Sequence, residues 1–282
     1  MTWSQIAAQP WMLWRRQVAA ILRLELKKSL FSKRAWWIYI LTLGPVVITG
    51  LHWLIRTSEQ GHTMGDDNMV FAGMFQVYFL RLGIFFGCLG IFSNLFRAEV
   101  LERTLHYYFM SPVRREVLAV SKYLAGLIAA VVYFVGSVVL SFLFISAHWG
   151  PVFQQYLFHG PGLHQLGWYA LTAALACVGY GSVFMLTGVL YRNPMIPAAV
   201  VWVWENLNPF LPSLLKKFSI IFYLKSLCPV GDIPADGPLA FLATMTEPTP
   251  AWLAIPGLLI VSALVLAYAA AKARKLEVSY SE

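Results

Sequence analysis

An all-α, polytopic membrane protein is what the sequence predicts, and three observations predict it. Of its 282 residues 59% are hydrophobic and only 12% are charged, and the mean hydropathy of +0.65 lies well outside the range of water-soluble domains. The apolar residues gather into six runs long enough, or nearly so, to cross about 30 Å of hydrocarbon. The Lys and Arg residues, finally, crowd some of the intervening segments and are missing from others. Six transmembrane helices follow, with an N-terminal interfacial helix, a cytoplasmic helical elbow between the second and third spans, and an external re-entrant or interfacial helix before the last span.

Residues 1–34 carry Arg15, Arg16, Arg23, Lys27, Lys28, Lys33 and Arg34 ahead of the first apolar run. Read as a helix, Arg16, Arg23 and Lys27 share a stripe opposite Trp14, Val18 and Ile21, which suits a helix lying at the headgroups with its cations in water. No short apolar core with a small-residue cleavage site occurs, so no signal peptide is expected. A transmembrane domain of residues 35–272 follows, with runs at 35–55, 69–95, 117–146, 165–191, 195–211 and 252–271. The fifth is short and is interrupted by Pro197 and Pro209.

Orientation comes from the cations. They are dense before the first run and between Arg97 and Lys122, recur at Arg192 and in the tail 273–282, and are absent from 57–68 and 147–164. Both termini are therefore expected in the cytoplasm of a cell inner membrane. Segment 206–251 must then face outside; Lys216, Lys217 and Lys225 are offset there by Asp232, Asp236 and Glu247. Leu211, Leu214, Leu215, Phe218, Ile221 and Phe222 recur at helical spacing, which predicts an interfacial or re-entrant helix over 212–227.

The charge-rich stretch 96–122, FRAEVLERTLHYYFMSPVRREVLAVSK, joins the second run to the third. Phe96, Val100, Leu101, Thr104, Leu105, Tyr108 and Phe109 lie on one helical face and Arg97, Glu99, Glu102, Arg103 and His106 on others. Ser111-Pro112 stops that helix and starts the next, since Ser caps free N–H groups and Pro is tolerated in a first turn. The order Glu99, Glu102, Arg103-Thr104-Leu105, Ser111-Pro112-Val113-Arg114 and Lys122 resembles the type-2 ATP-binding cassette (ABC) exporter permeases. Where that family usually has Gly before the Thr and before the Lys, this chain has Arg103 and Ser121.

The resemblance implies that residues 96–112 form a coupling helix docking on a separate ATPase subunit, with Glu99, Glu102, Arg103, Leu105, Tyr108 and Arg114 as docking residues. It further implies that a second permease copy or a homologue completes the transport path, and that the second and fifth spans line it. ATP and Mg would be bound by the partner ATPase and no cofactor by this chain, which contains no Gly-rich phosphate loop ending in Lys-Ser/Thr.

Other chemistry is sparse. HExxH and GxSxG are absent. His148, His159 and His164 share a loop, but their spacing fits no standard metal site. Cys88, Cys177 and Cys228 lie far apart and are expected to be packing residues. The net charge of +8 is expected to serve anionic lipid headgroups rather than nucleic acid. Arg81 and Glu205 fall near the middle of apolar runs, with Asn206 and Asn208 beside the latter, and are candidates for the transport path or for an intramembrane polar contact. Their similar depths predict that Arg81 and Glu205 approach one another. Two readings stand beside transport by an ABC permease: a membrane-embedded enzyme of lipid or cell-wall chemistry, and an ion-coupled secondary transporter. The first would need convergent polar residues at the outer face, and the second usually brings inverted repeats.

Overall fold

Within hydrocarbon a backbone can satisfy its N–H and C=O groups only internally, so long apolar runs become helices. The computed structural model describes residues 11–30, 36–55, 63–101, 115–191, 193–230 and 249–274, and every regular element among them is helical. In chain order these are α1 (Trp11–Leu30), α2 (Trp36–Ile55), α3 (Met64–Met74), a π-helix (Phe75–Gly83), α4 (Ile84–Leu101), α5 (Arg115–Ile145), a 3₁₀ turn (Ala147–Trp149), α6 (Pro151–His159), α7 (Gly162–Leu190), α8 (Met195–Leu207), a 3₁₀ turn (Asn208–Phe210), α9 (Ser213–Lys216), α10 (Ile220–Ser226) and α11 (Ala251–Arg274).

Five stretches are long and apolar enough to cross a membrane: Trp36–Ile55, Met64–Leu95, Val117–Trp149, Gly162–Leu190 and Ala251–Ala273. The run at 195–211 does not make a sixth continuous span. Asn208-Pro209 ends α8 after 13 residues, about 20 Å at 1.5 Å per residue, against about 30 Å of hydrocarbon. The chain continues in a second helical piece, α10. Ile220, at the start of α10, lies against Gly179 near the middle of α7, whereas Cys228 just beyond its end lies within electrostatic reach of Tyr169, nearer the start of α7. Segment 206–230 is thus inserted among the helices rather than standing outside them, with Asn208, Lys216, Ser219, Ile221, Leu224 and Leu227 buried. Irregular backbone at this depth is tolerated because protein surrounds it.

Helix α7 sits at the centre, against α4, α5 and α11, and α5 carries α1 and α2 on its other side. Lipid is as apolar as leucine, so helix association in a membrane rests on close fit rather than on water exclusion. Gly188 shows what that requires: a Cβ placed there would lie 2.8 Å from the carbonyl oxygen of Ser93, so the backbones of α7 and α4 touch only because the side chain is missing. Phe71, Phe75, Phe142 and Tyr169 close the upper core, with Phe75 and Tyr169 ring centroids 4.7 Å apart. The aromatic residues Phe75, Phe79 and Phe85 therefore belong to the core. The outward face of α2, with Ile40, Leu43, Val47, Ile48, Leu51 and Leu54, is exposed, as a face toward acyl chains must be.

Two local irregularities position side chains. Pro45 lies inside α2 and has no N–H to offer Leu41 four residues back; the Tyr78 hydroxyl donates to Leu41 O instead, at 2.9 Å. The π-helix that carries Tyr78 closes with the Ile84 N–H donating to Phe79 O, five residues back. Beyond the C-terminal end of α5, Gly150 takes φ +54° and turns the chain into Pro151 at the first position of α6.

Candidate functional site

The intramembrane polar residues converge on the break between α8 and α10. Glu205, buried in the last turn of α8, accepts hydrogen bonds from the Ser219 hydroxyl at 2.8 Å and from the backbone N–H groups of Ile220 and Ile221 at 3.0 and 2.8 Å. The hydroxyl of Tyr180, from α7, approaches the same carboxylate at 3.4 Å. The first N–H groups of a helix have no partner within it, and a carboxylate there also meets the positive end of the helix dipole. Glu205 is therefore the cap of α10, supplied from another segment.

Its neighbours complete the clasp. Asn208 Nδ2 donates to Lys216 O at 3.3 Å across the turn, Asn206 Nδ2 bonds back to Trp202 O at 2.8 Å, and Gln76 of the π-helix donates from Nε2 to Val230 O at 3.2 Å. Arg81 and Glu205 make no ion pair. The charge of Arg81 acts on the Tyr180 hydroxyl, so the two expected partners border one tyrosine instead of each other. Arg81 Nε is buried with no hydrogen-bond partner. Arg81 is carried by the π-helix, and π-helical insertions of this kind recur at functional positions.

A second buried charge lies toward the elbow. Lys122 Nζ donates to Glu25 Oε1 at 2.6 Å, with side chains 0% and 3% exposed, and so joins α1 to α5. Arg15, Arg16, Arg23, Lys27 and Lys28 of α1 are exposed, as an interfacial helix requires, yet its one carboxylate turns inward. Sequence reasoning assigned Lys122 only to the motif and overlooked Glu25. Of the expected docking residues, Glu99 falls in the last turn of α4, while Glu102, Arg103, Leu105, Tyr108 and Arg114 lie outside the described residues.

Two further groupings join residues distant in sequence. Cys88 in α4 and Cys177 in α7, both buried, lie close enough to influence one another electrostatically. At the opposite end from the elbow, His148 is separated from His164, whose Nε2 accepts from Trp168 Nε1 at 3.1 Å. His148 instead joins His52 of α2 around Asp67 of α3: His52 Nε2 lies 3.4 Å from Oδ1, His148 Nε2 3.4 Å from Oδ2, and Trp149 Nε1 donates to Oδ2 at 2.8 Å. No spacing rule links these residues, because the turn 147–149 and the start of the second span meet only in the folded chain.

A helix break closed by a buried carboxylate, an unbonded guanidinium nitrogen on a π-turn, and helices brought into backbone contact by glycine describe a helical membrane domain with polar groups buried among its helices. A search among curated proteins found no match to this chain. A family model described as ABC-2 family transporter protein matches residues 21–206, from the middle of α1 through the four spans that follow to the carboxylate at the break, and the chain belongs to that family.

Proposed function

We propose that this multi-pass ABC transporter permease is one half of an exporter, driven from the cytoplasm through the elbow at 96–112 by a separate ATPase that binds ATP and Mg. Membership of the family makes the chain a transport subunit rather than an enzyme and implies an ATPase partner. Export, the docking site, pairing with a second copy or a homologue, residence in the inner membrane and cytoplasmic termini are the finer reading.

The observation that carries it is the way both arms of the elbow are anchored. Helices α4 and α5 leave the elbow and pack along α7, and the Glu25–Lys122 pair ties α1 to α5 seven residues inside its start at Arg115. A push on the elbow would therefore move α1, α4 and α5 together against α7, as packed elements shift without unfolding. Arg81 and the Glu205 clasp lie where such a shift is felt, with Asn206 and Asn208 in the turn that would open.

The test is co-purification. The chain should bring down a phosphate-loop ATPase, and Leu105→Asp or Glu102→Ala should weaken that association by at least about tenfold, since removing one partner of a buried interfacial charge contact costs about 2–5 kcal/mol. Undiminished association and ATP turnover in both variants, with normal insertion, would remove the elbow from the docking surface.

A further inference from the structure

We propose that His52, Asp67 and His148 form a divalent-metal site, selective for zinc, that staples the ends of the first three spans remote from the elbow. Four observations carry it. The two imidazole Nε2 atoms each stand 3.4 Å from the Asp67 carboxylate, and the three candidate ligand atoms all lie within 4.8 Å of one another. Ligands about 2.0–2.1 Å from a tetrahedral zinc are separated by about 3.3–3.4 Å; the spacing from His52 Nε2 to Oδ1 already matches one edge of that polyhedron, while the 3.4 Å from His148 Nε2 is to the other carboxylate oxygen. Asp67 is only 1% exposed, and a carboxylate so buried is stabilised by a cation. His52 Nε2 is buried and makes no hydrogen bond although it points at that carboxylate.

The surroundings fix the ligands. Thr63 caps α3 through its N–H to Asp66 Oδ2 at 2.8 Å, which employs the neighbouring carboxylate and leaves Asp67 on the inward face. Trp149 holds Oδ2 by a hydrogen bond, the outer-shell support that ligating carboxylates ordinarily have. Trp53 stacks on Phe144 with ring centroids 6.0 Å apart, which seats the last turn of α2 against α5 beside His52. Two imidazoles and one carboxylate form a borderline donor set. It suits zinc better than Mg²⁺ or Ca²⁺, which prefer oxygen, or Cu(I), which prefers sulfur. Three protein ligands leave a fourth position for water.

Zinc binding by the full-length chain, purified in detergent without a polyhistidine tag, tests this. Calorimetric titration should give one saturable site per chain, EDTA should lower the thermal midpoint, and Co²⁺ should give the intense visible bands of a tetrahedral N/O complex. Asp67→Asn and His52→Gln should each weaken zinc binding by at least about tenfold, whereas His164→Ala should leave it unchanged. Absence of saturable binding to the wild-type chain, a purely octahedral Co²⁺ spectrum, or equal affinity in the His52→Gln protein would overturn the proposal. If Asp67→Asn does not fold, His52→Gln and the wild-type Co²⁺ spectrum decide it, because neither depends on that variant.

Discussion

Pro45 withdraws one N–H from α2, and the Tyr78 hydroxyl answers it at Leu41 O. Tyr78→Phe should therefore cost about 1–2 kcal/mol of stability, the penalty of a polar group left unsatisfied. In a Pro45→Ala background the helix supplies its own N–H to Leu41, and the same substitution should cost markedly less; equal costs in both backgrounds, measured by denaturation in detergent, would refute the link. The Glu25–Lys122 pair behaves by a different rule. Either Glu25→Leu or Lys122→Leu alone leaves a buried charge without its partner and should destabilise by about 3–5 kcal/mol, while the double variant should recover most of the loss. Strictly additive losses would mean that the two side chains do not stabilise each other.

At the scale of elements, α10 is seven residues long and is held by a carboxylate outside it. Glu205→Gln keeps an acceptor but loses the charge, and the expected result is local: the Ile220 and Ile221 amides should exchange with solvent faster, while those of α7 stay protected. Uniform loss of protection would instead mark Glu205 as essential to the whole fold. The contact between α4 and α7 depends on Gly188, because a methyl group there meets Ser93 backbone atoms at 2.8 and 2.9 Å. Gly188→Ala should lower the thermal midpoint and Gly136→Ala, where a Cβ meets nothing within 4 Å, should not. Similar midpoints in the two variants would show that the helices can part at little cost.

For the molecule as a whole, the distribution of Lys and Arg predicts that α6 lies outside the cell and the elbow inside. His159 is exposed at the end of α6, so His159→Cys in a chain without its native cysteines should react with a membrane-impermeant thiol reagent added to intact spheroplasts. Labelling only after permeabilisation would invert the topology.

For five of the six expected runs, which stretches are long and apolar enough to cross and roughly where they begin was legible, because hydropathy summed over a span is a local quantity, and so is a turn signal such as Asn208-Pro209. The charged face of α1 was legible for the same reason. Side-chain destinations were not. Asp66 and Asp67 are adjacent and chemically identical, yet one is an exposed cap and the other is enclosed by two histidines from other segments. Lys122 was read only as part of the motif and is buried on Glu25; Glu205 was expected to meet Arg81 but accepts instead from the N–H groups of α10. In each case the choice depends on which helix face a neighbour covers, and that is decided by contacts between segments far apart in the chain, to which composition and periodicity are blind.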